Sequence, residues 1–401
     1  MVFKRPFVIL FLGAFLSCSQ KDTGQPPEAQ PPQEDRSVHG AELDREGALL
    51  ALFSSLSETQ KLSQLFLVNL EGNRAFRPVE FDSQGKAAIP GGYLLFSYNI
   101  ADTAEGTAAF TASIRDYCAD HGAVPPYLAI DHEGGTVNRL RNLPSGGQKA
   151  PLPSARAVSA RYSPEEAMKL YAAQGALLRS LGIQVNLGPV AEMVTSKNKD
   201  FLGTRSYGGL EEVLAYGGSA IQGFQDAGVA SVVKHFPGNT NADPHTGLPV
   251  INVGGAALES DYLAPFRRLL SGPGQDAAGV LMSHAVVKGV DNDRPACLSR
   301  FWATSVLKRA LHFKGLVVSD DLYMGALTKN GYPSEAAVVA AVDAGVDVLM
   351  ISEKKFLPAL GALRKRAGED PLFAARLEES ALKVLRFKAD WGVLEAPEKR
   401  P

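Results

Sequence analysis

The feature that most constrains this chain is a regular recurrence of short apolar runs, each followed by a turn signal and then by a stretch with helical periodicity. Most of the runs are continuously hydrophobic rather than alternating, which is typical of parallel strands buried on both faces. We identify eight such runs. They are Leu62–Leu70, Gly92–Tyr98, Tyr127–Asp131, Gln184–Pro189, Ala230–His235, Gly279–Ala285, Gly315–Asp320 and Val346–Ser352.

Helical patterns separate the runs, and several carry start signals. At Ser163-Pro164-Glu165-Glu166, a serine cap precedes a proline at the first helical position and two acids in the first turn. The predicted helices are Glu105–His121, Pro164–Leu181, Leu210–Asp226, Leu258–Leu270, Ser334–Ala344, Lys354–Arg366 and Pro371–Phe387. Eight strand–helix units over about 350 residues predict an α/β fold, a TIM (β/α)8 barrel with one catalytic domain.

An open, doubly wound sheet is the alternative, but such sheets usually have fewer strands and bind ligands at a switch point. No Gly-x-Gly-x-x-Gly or Walker-type loop follows the first run, so nothing supports a nucleotide cofactor. The chain has 41 Lys and Arg against 43 Asp and Glu, and this balance gives no electrostatic reason to expect nucleic acid as a partner. With only 3 Cys, it is not a disulfide scaffold.

The N-terminus has the pattern of a targeting signal. Lys4 and Arg5 precede an apolar run from Pro6 to Leu16, which is too short to span a bilayer and fits the apolar region of a signal peptide. The run ends in Phe15-Leu16-Ser17-Cys18, which resembles a bacterial lipoprotein signal with Cys18 as the lipidation site. An ordinary cleaved signal with an incidental Cys is the alternative.

The polar stretch after Cys18 is rich in Gln and Pro and cannot bury a core. We therefore expect a signal peptide at 1–18, a disordered tether at 19–40 and a barrel at 41–401. This order predicts a protein held by lipid at a membrane of the bacterial cell envelope, on its periplasmic or surface face. If Cys18 carries lipid, Cys118 and Cys297 remain, and the sequence does not say whether they pair.

Polar side chains follow four of the eight runs. A single charged residue after a buried run is more often the start of a solvated loop, but in a TIM barrel the catalytic groups come from the C-terminal ends of several strands. Four such ends on one rim therefore predict a site. The groups are Asp131-His132-Glu133, Lys234-His235, Met282-Ser283-His284 and Ser319-Asp320-Asp321. Met282 and His284 lie on this rim by position, and we assign them no role.

Four blocks of residues carry a family resemblance, and all lie at or near this rim. They resemble glycoside hydrolase family 3 and, more narrowly, its single-domain NagZ-type β-N-acetylglucosaminidases, from about Leu49 to Val393. The resemblance implies a barrel without the second α/β domain that the family often appends. The blocks are Asp131-His132-Glu133-Gly134-Gly135-Thr136-Val137-Asn138-Arg139, Lys234-His235-Phe236-Pro237-Gly238, Asp243-Pro244-His245 and Ser319-Asp320-Asp321-Leu322-Tyr323-Met324.

The resemblance implies a mechanism. Asp320 stands where the family has its catalytic nucleophile, which forms a covalent glycosyl-enzyme; Asp321 is the poorer match. Asp243 and His245 match an acid/base dyad in which a His replaces the usual second carboxylic acid. The chemistry is sound, since imidazole titrates near neutrality and an adjacent carboxylate stabilises the imidazolium.

Substrate contacts carry over as well. Asp131 matches a carboxylate that binds hydroxyls at the far edge of the non-reducing sugar ring, and Arg139, Lys234 and His235 match donors around that ring. Arg205, in the loop after the fourth run, matches another Arg of the pattern. For Lys234 and Arg205, a salt bridge that braces the rim is an equally good interpretation.

The chain departs from the family at the acid/base loop. The family usually has Pro-Gly-His-Gly and then Asp-Ser-His, whereas this chain has Pro237-Gly238-Asn239-Thr240 and Asp243-Pro244-His245, with a loop about two residues shorter. Pro244 stiffens the dyad. The segment 239–242 lacks an apolar anchor, which suits a loop that moves. The preference for the leaving sugar stays open.

The leading hypothesis is a monomeric, retaining exo-β-N-acetylglucosaminidase. It would use no cofactor or metal and act on terminal β-linked GlcNAc of peptidoglycan fragments or other glycans. Alternatives are another family 3 activity such as β-glucosidase, a phosphorylase giving a sugar 1-phosphate, and a non-catalytic glycan-binding lipoprotein. A binuclear metal hydrolase on the same barrel is disfavoured. The first strand of such enzymes typically ends in His-x-His, and the first predicted strand of this chain does not. That reading would use His235, Asp243, His245, His284 and Asp320.

Overall fold

Eight short parallel strands form a ring at the centre of the domain. In the computed structural model, each apolar run contributes one of them, and only β5 extends past its run, by one residue. The strands are β1 (Phe66–Asn69), β2 (Gly92–Leu95), β3 (Tyr127–Ile130), β4 (Val185–Asn186), β5 (Ala230–Phe236), β6 (Gly279–Met282), β7 (Leu316–Ser319) and β8 (Leu349–Ile351). The structure describes residues 36–78, 81, 85, 87–141, 143, 151–270 and 277–394.

The strands pair in the order β7-β6-β5-β4-β3-β2-β1-β8, and all these pairs are parallel. The two ends of this sheet meet at a parallel bridge between Val318 and Val348. There the backbone N–H of Ser319 donates to the carbonyl of Val348 at 2.9 Å. The prediction of a TIM barrel is therefore confirmed, and an open doubly wound sheet is excluded because the ring closes.

The continuous apolar runs follow from burial of both faces of each strand. In β1, Leu67 packs inside the barrel, whereas its neighbours Phe66 and Val68 pack in the layer between the strands and the helices. Phe387 lies in the inner cluster and contacts the ring of Tyr127 edge-on, with ring centroids 5.6 Å apart. Both layers need large apolar side chains, so the strands show little alternation.

Helices surround the ring, and most of the predicted ones are present within a few residues of their predicted bounds. The helices are α1 (Arg36–Ser55), α2 (Glu58–Ser63), α3 (Ala104–Asp120), α4 (Ala155–Arg161), α5 (Pro164–Ser180), α6 (Lys199–Leu202), α7 (Leu210–Asp226), α8 (Gly255–Leu258), α9 (Ala264–Leu270), α10 (Gly325–Thr328), α11 (Ser334–Ala344), α12 (Phe356–Glu369) and α13 (Pro371–Asp390). The predicted helix Leu258–Leu270 is divided, because a π-helical segment, Glu259–Leu263, joins α8 to α9. A second π-helical segment, Phe301–Ala310, was not predicted.

The first strand begins later than predicted. Residues Glu58–Ser63 form α2 instead, and Ser57 caps this helix in a reciprocal capping box with Gln60. The spacing Ser-x-x-Gln was a visible start signal, and it takes Leu62 and Ser63 out of the predicted strand. Two small sheets also lie outside the ring: an antiparallel pair, His132–Gly134 with Val137–Asn138, and a parallel pair, Val250–Ile251 with Val286–Val287.

Contacts divide the chain into Met1–Asp44 and Arg45–Pro401, and the barrel is the second unit. Cys18 and the predicted signal peptide at 1–18 lie outside the described residues, as does the tether up to residue 35. From Arg36 the backbone is helical, so the segment 36–40 differs from the disordered chain that was expected. Among the helices that the structure describes, none is both long and apolar enough to cross a bilayer. Cys118 and Cys297 are both buried and free.

Candidate active site

A cavity of about 520 Å³ opens at the carboxyl ends of the strands. It is lined by nearly all of the residues that the sequence singled out, although these come from four different strand–loop units. Asp243 does not line the cavity but contacts His245, which does. The predicted site residues on the cavity wall are Asp131, Arg139, Arg205, Lys234, His235, His245 and Asp320.

Lys234 lies on β5 and is only 3% exposed. Its Nζ is 2.7 Å from Asp131 Oδ1 and 2.7 Å from Glu133 Oε1. Burial alone would lower the pKa of the ammonium, but the two carboxylates raise it above its usual value. Burial likewise favours the neutral form of Asp131, yet Lys234 brings the pKa of that carboxyl below its usual value. Burial opposes the charge of Glu133 too, but Lys234 and Arg205 bring the pKa of that carboxyl well below its usual value. All three groups are therefore charged at neutral pH.

Two arginines extend this network. Arg205 donates to Glu133 through Nε at 2.7 Å and Nη2 at 2.9 Å, a bidentate pair, and Arg139 Nη2 is 3.3 Å from Asp131 Oδ2. Lys234 and Arg205 thus form the bracing salt bridges that the sequence left open, and both also face the cavity. Glu133 joins Lys234 and Arg205. The sequence predicted no role for Glu133, because the motif does not show which side chains this Glu contacts.

The local backbone explains why Glu133 and Arg139 lie beside Asp131. The chain leaves β3 into the small hairpin His132–Gly134 with Val137–Asn138, and the turn uses Gly134 and Gly135 at φ +90° and +57°. A Cβ on Gly134 would overlap with the carbonyl oxygen of Pro153. Only glycine fits this position, and the tight turn brings both charged residues back over the cavity.

His235 follows Lys234, and its ring contacts a second buried carboxylate. Its Nδ1 is 2.7 Å from Oε1 of Glu192, which the sequence did not single out. The peptide bonds Lys234–His235 and Phe236–Pro237 are cis, and the β5–β6 register shifts between Lys234 and Phe236. Consecutive side chains, Lys234 and His235, both line the cavity.

Asp320 follows β7 directly. Its backbone N–H donates to the carbonyl of Met282 at 3.0 Å, and its Oδ1 accepts from the backbone N–H of Asp321 at 2.8 Å. Its other carboxylate oxygen has no hydrogen-bond partner among the described residues. Asp321 differs, because its Oδ1 accepts from the backbone N–H of Tyr323 at 2.9 Å, and burial raises the pKa of its carboxyl to about 6.

The Asp243–His245 pair lies on the loop after β5, and His245 lines the cavity. His245 Nδ1 is 2.8 Å from Asp243 Oδ1, which also accepts from the backbone N–H of His245 at 2.9 Å. These two hydrogen bonds lower the pKa of Asp243. The side chains are 53% and 70% exposed for Asp243 and His245, so this is the open part of the site.

Polar contacts anchor the segment 239–246 that carries this pair. Asn239 donates from its backbone N–H to Glu192 Oε2 at 2.6 Å, and Asn241 donates from its backbone N–H to the carbonyl of Lys197 at 2.7 Å. The sequence offers no apolar anchor in this segment, and these polar contacts hold it instead. Further along, the carbonyl of Pro244 accepts from the backbone N–H of Ala326 at 2.9 Å.

Met282 and His284 belong to the core rather than to the cavity wall. His284 is fully buried, with Nδ1 3.1 Å from the Cys297 sulfur and Nε2 3.0 Å from the carbonyl of Asp321. Burial lowers the pKa of this ring. Across the part of the chain that the structure describes, no three His, Cys, Asp or Glu side chains are grouped so as to hold a metal ion.

A closed barrel with charged groups and a carboxylate at its strand ends fits a glycosidase that acts on a neutral sugar. The family model for the glycosyl hydrolase family 3 N-terminal domain matches residues 59–387, and the chain belongs to this family. Among curated relatives, the β-hexosaminidase LpqI of Mycobacterium tuberculosis is 31% identical over 347 residues, which are 83% of each chain. The β-hexosaminidase of Tolumonas auensis is 33% identical over 264 residues, 65% of this chain and 75% of that one.

Solved structures agree with this assignment. The family 3 β-N-acetylglucosaminidase from Paenibacillus sp. str. FPU-7 aligns with a TM-score of 0.76 at 30% identity. The alignment covers 86% of this chain but 65% of the Paenibacillus chain, so this chain spans about two thirds of that relative. Mycobacterium tuberculosis LpqI aligns with a TM-score of 0.69 at 29% identity, covering 84% of this chain and 94% of that one.

Gly325 offers a steric test of where His245 must lie. A Cβ at Gly325 would overlap with the carbonyl oxygen of His245, so Gly325→Ala should displace the backbone at His245. If His245 is the acid/base group that the family resemblance implies, kcat/KM on an aryl β-GlcNAc substrate should fall by about 10²-fold, since small displacements of reacting groups have effects of that order. Gly247→Ala is the matched control, because no atom lies within 4 Å of its Cβ position. Equal activity of the two variants would show that His245 need not hold this position.

Proposed function

We propose that this protein is a retaining exo-β-N-acetylglucosaminidase that removes terminal β-linked GlcNAc from peptidoglycan fragments or other glycans. The observation that carries the proposal is one cavity wall shared by Asp320, His245 and the Lys234 network. The relatives named β-hexosaminidase and β-N-acetylglucosaminidase support GlcNAc as the sugar. The specific roles of the residues are part of this proposal.

Asp320 is the nucleophile in the first half of the reaction. The carboxylate oxygen without a protein partner attacks the anomeric carbon, and the bond from that carbon to the leaving oxygen breaks. His245 gives its Nε2 proton to the leaving oxygen, so the departing sugar leaves as a neutral alcohol. The product of this half is a glycosyl ester on Asp320.

His245 then acts in the reverse sense. As a neutral imidazole it takes a proton from water, and the resulting hydroxide oxygen bonds to the anomeric carbon while the ester bond to Asp320 breaks. Asp243 supports both halves, since its carboxylate is 2.8 Å from Nδ1 and stabilises the imidazolium that forms after each proton uptake. The exposure of this pair gives water and leaving sugar direct access to it.

The charged network binds the sugar that is transferred. Asp131 accepts hydrogen bonds from ring hydroxyls, and Arg139, Lys234 and His235 donate or accept around the same ring, with Arg205 acting on the sugar and through Glu133. Because the salt bridges already fix these groups, little side-chain ordering is required when the substrate binds. An exo mode of action fits a cavity that is closed below by the barrel core.

We also propose that Cys18 carries a lipid which holds the enzyme, as a monomer, at a membrane of the bacterial cell envelope. The support is the sequence Phe15-Leu16-Ser17-Cys18 after an apolar run, followed by a polar stretch.

Lipid attachment at Cys18 predicts that the protein sediments with membranes and that Cys18→Ala releases it. A variant that stays in the membrane fraction would contradict lipid attachment at Cys18.

Replacing the nucleophile tests the core of the proposal. Asp320→Ala should lower kcat/KM on an aryl β-GlcNAc by a factor on the order of 10⁴ or more, because it removes the carboxylate that forms the ester. Added azide should restore turnover from the vacated face and give the α-glycosyl azide. Asp293→Asn removes the charge of a half-buried aspartate that pairs with Lys288, and it is the control because Asn tolerates the positive φ of this position. Unchanged activity of Asp320→Ala would refute the assignment.

The acid/base role of His245 predicts a dependence on the leaving group. His245→Ala should lower kcat/KM strongly for phenyl or alkyl β-GlcNAc but far less for a dinitrophenyl leaving group, which departs without protonation. Azide should rescue this variant with the β-glycosyl azide as product, since the ester on Asp320 still forms. A loss that is the same for all leaving groups would contradict the role.

A further inference from the structure

Glu192 is a buried carboxylate in the loop after β4, and it is 3% exposed. Four donors from two residues satisfy it. His235 approaches Oε1 with Nδ1 at 2.7 Å and with its backbone N at 3.4 Å. The backbone N of Asn239 is 2.6 Å from Oε2, and Asn239 Nδ2 is 3.3 Å from Oε1. Glu192 is not among the residues that line the cavity, so it acts on a substrate only through these partners.

The first consequence concerns the imidazole of His235. With Glu192 at Nδ1, the proton of the neutral ring is held on Nδ1, and Nε2 remains as the ring nitrogen available to a sugar hydroxyl in the cavity. Carboxylates that contact the second nitrogen of a functional His commonly fix its tautomer and orientation in this way. Glu192 therefore determines whether His235 accepts or donates at the cavity.

The second consequence concerns the acid/base loop. Asn239 is 2% exposed and begins the segment 239–246, which carries the exposed Asp243–His245 pair. The 2.6 Å contact with Glu192 Oε2 holds the backbone at the fixed end of this segment. A shift at this point would move His245 relative to Asp320.

We propose that Glu192 is a positioning residue that links the sugar-binding wall to the acid/base loop. One carboxylate oxygen sets the ring of His235, and the other holds the start of the segment that carries His245. This inference rests on the proposed function, since it takes His235 as a sugar contact and His245 as the acid/base.

Glu192→Gln tests the link without changing side-chain length. An amide has one acceptor oxygen, so it presents an NH2 donor either to the backbone N–H of Asn239 or to His235 Nδ1. We expect kcat/KM to fall by roughly 10- to 100-fold for phenyl β-GlcNAc and by less for the dinitrophenyl substrate, because a displaced His245 matters only where protonation is needed. KM should rise for both substrates through His235.

Combining Glu192→Gln with His245→Ala distinguishes a specific effect on the position of His245 from a general destabilisation of the site. There the leaving-group dependence of the Glu192→Gln effect should vanish, while the rise in KM remains. Gln174→Met is the structural control, since it removes a 3.0 Å hydrogen bond from the buried His132 without reaching the cavity. This control should lower thermal stability without changing the leaving-group dependence.

An equal fall for both leaving groups, or no fall, would overturn the inference. If Glu192→Gln does not fold, Glu192→Asp is measured in the same way, because it keeps the charge but is too short to hold both partners. The activity of Asp320→Ala distinguishes failure of the positioning role of Glu192 from failure of the proposed function. An inactive Asp320→Ala with a wild-type-like Glu192→Gln refutes only the positioning role, whereas an active Asp320→Ala refutes the proposed function.

Discussion

The ammonium of Lys234, held between Asp131 and Glu133, is the interaction on which the rest of the site depends. A buried cation is costly unless it is paired, and removing one partner of a buried pair typically destabilises a protein by about 3–5 kcal/mol. Here the pairing joins β5 to the end of β3 and to the hairpin that follows it. Arg205 then attaches the loop after β4 through Glu133. The charges that would bind a sugar are thus also the contacts that hold the rim together.

The two sides of the cavity differ in how firmly they are held. The Lys234 side chain is 4% exposed, whereas that of His245 is 70% exposed. In the proposed reaction this division is useful, because the sugar that forms the ester must be held rigidly, while the acid/base group must meet first a leaving sugar and then water. Glu192 connects the two sides, with His235 at one oxygen and Asn239 at the other.

Much of the fold was predictable because burial on both faces of a barrel strand requires continuous apolar runs. The error at Leu62 arose where a short capped helix and a strand share one apolar stretch, and the capping box at Ser57 and Gln60 was the overlooked signal. The strand-end residues of the site were predictable for a topological reason, since parallel strands place their carboxyl ends on one rim. For Lys234 and Arg205, the sequence could not decide between a sugar contact and a salt bridge, because a salt bridge depends on where the partner side chain lies in the fold. Glu192 gave no signal at all: it lies 43 residues before His235, and no spacing rule connects them.

The most direct test is to capture the ester on Asp320. A fluorinated GlcNAc analogue with a dinitrophenyl leaving group should react quickly with the enzyme and hydrolyse slowly, because fluorine destabilises the charged transition states while the good leaving group speeds the first step. Mass spectrometry of the intact protein should then show one added glycosyl group, and peptide mapping should locate it on Asp320. Turnover of the analogue without any adduct, or an adduct on Asp321 or another residue, would contradict the account.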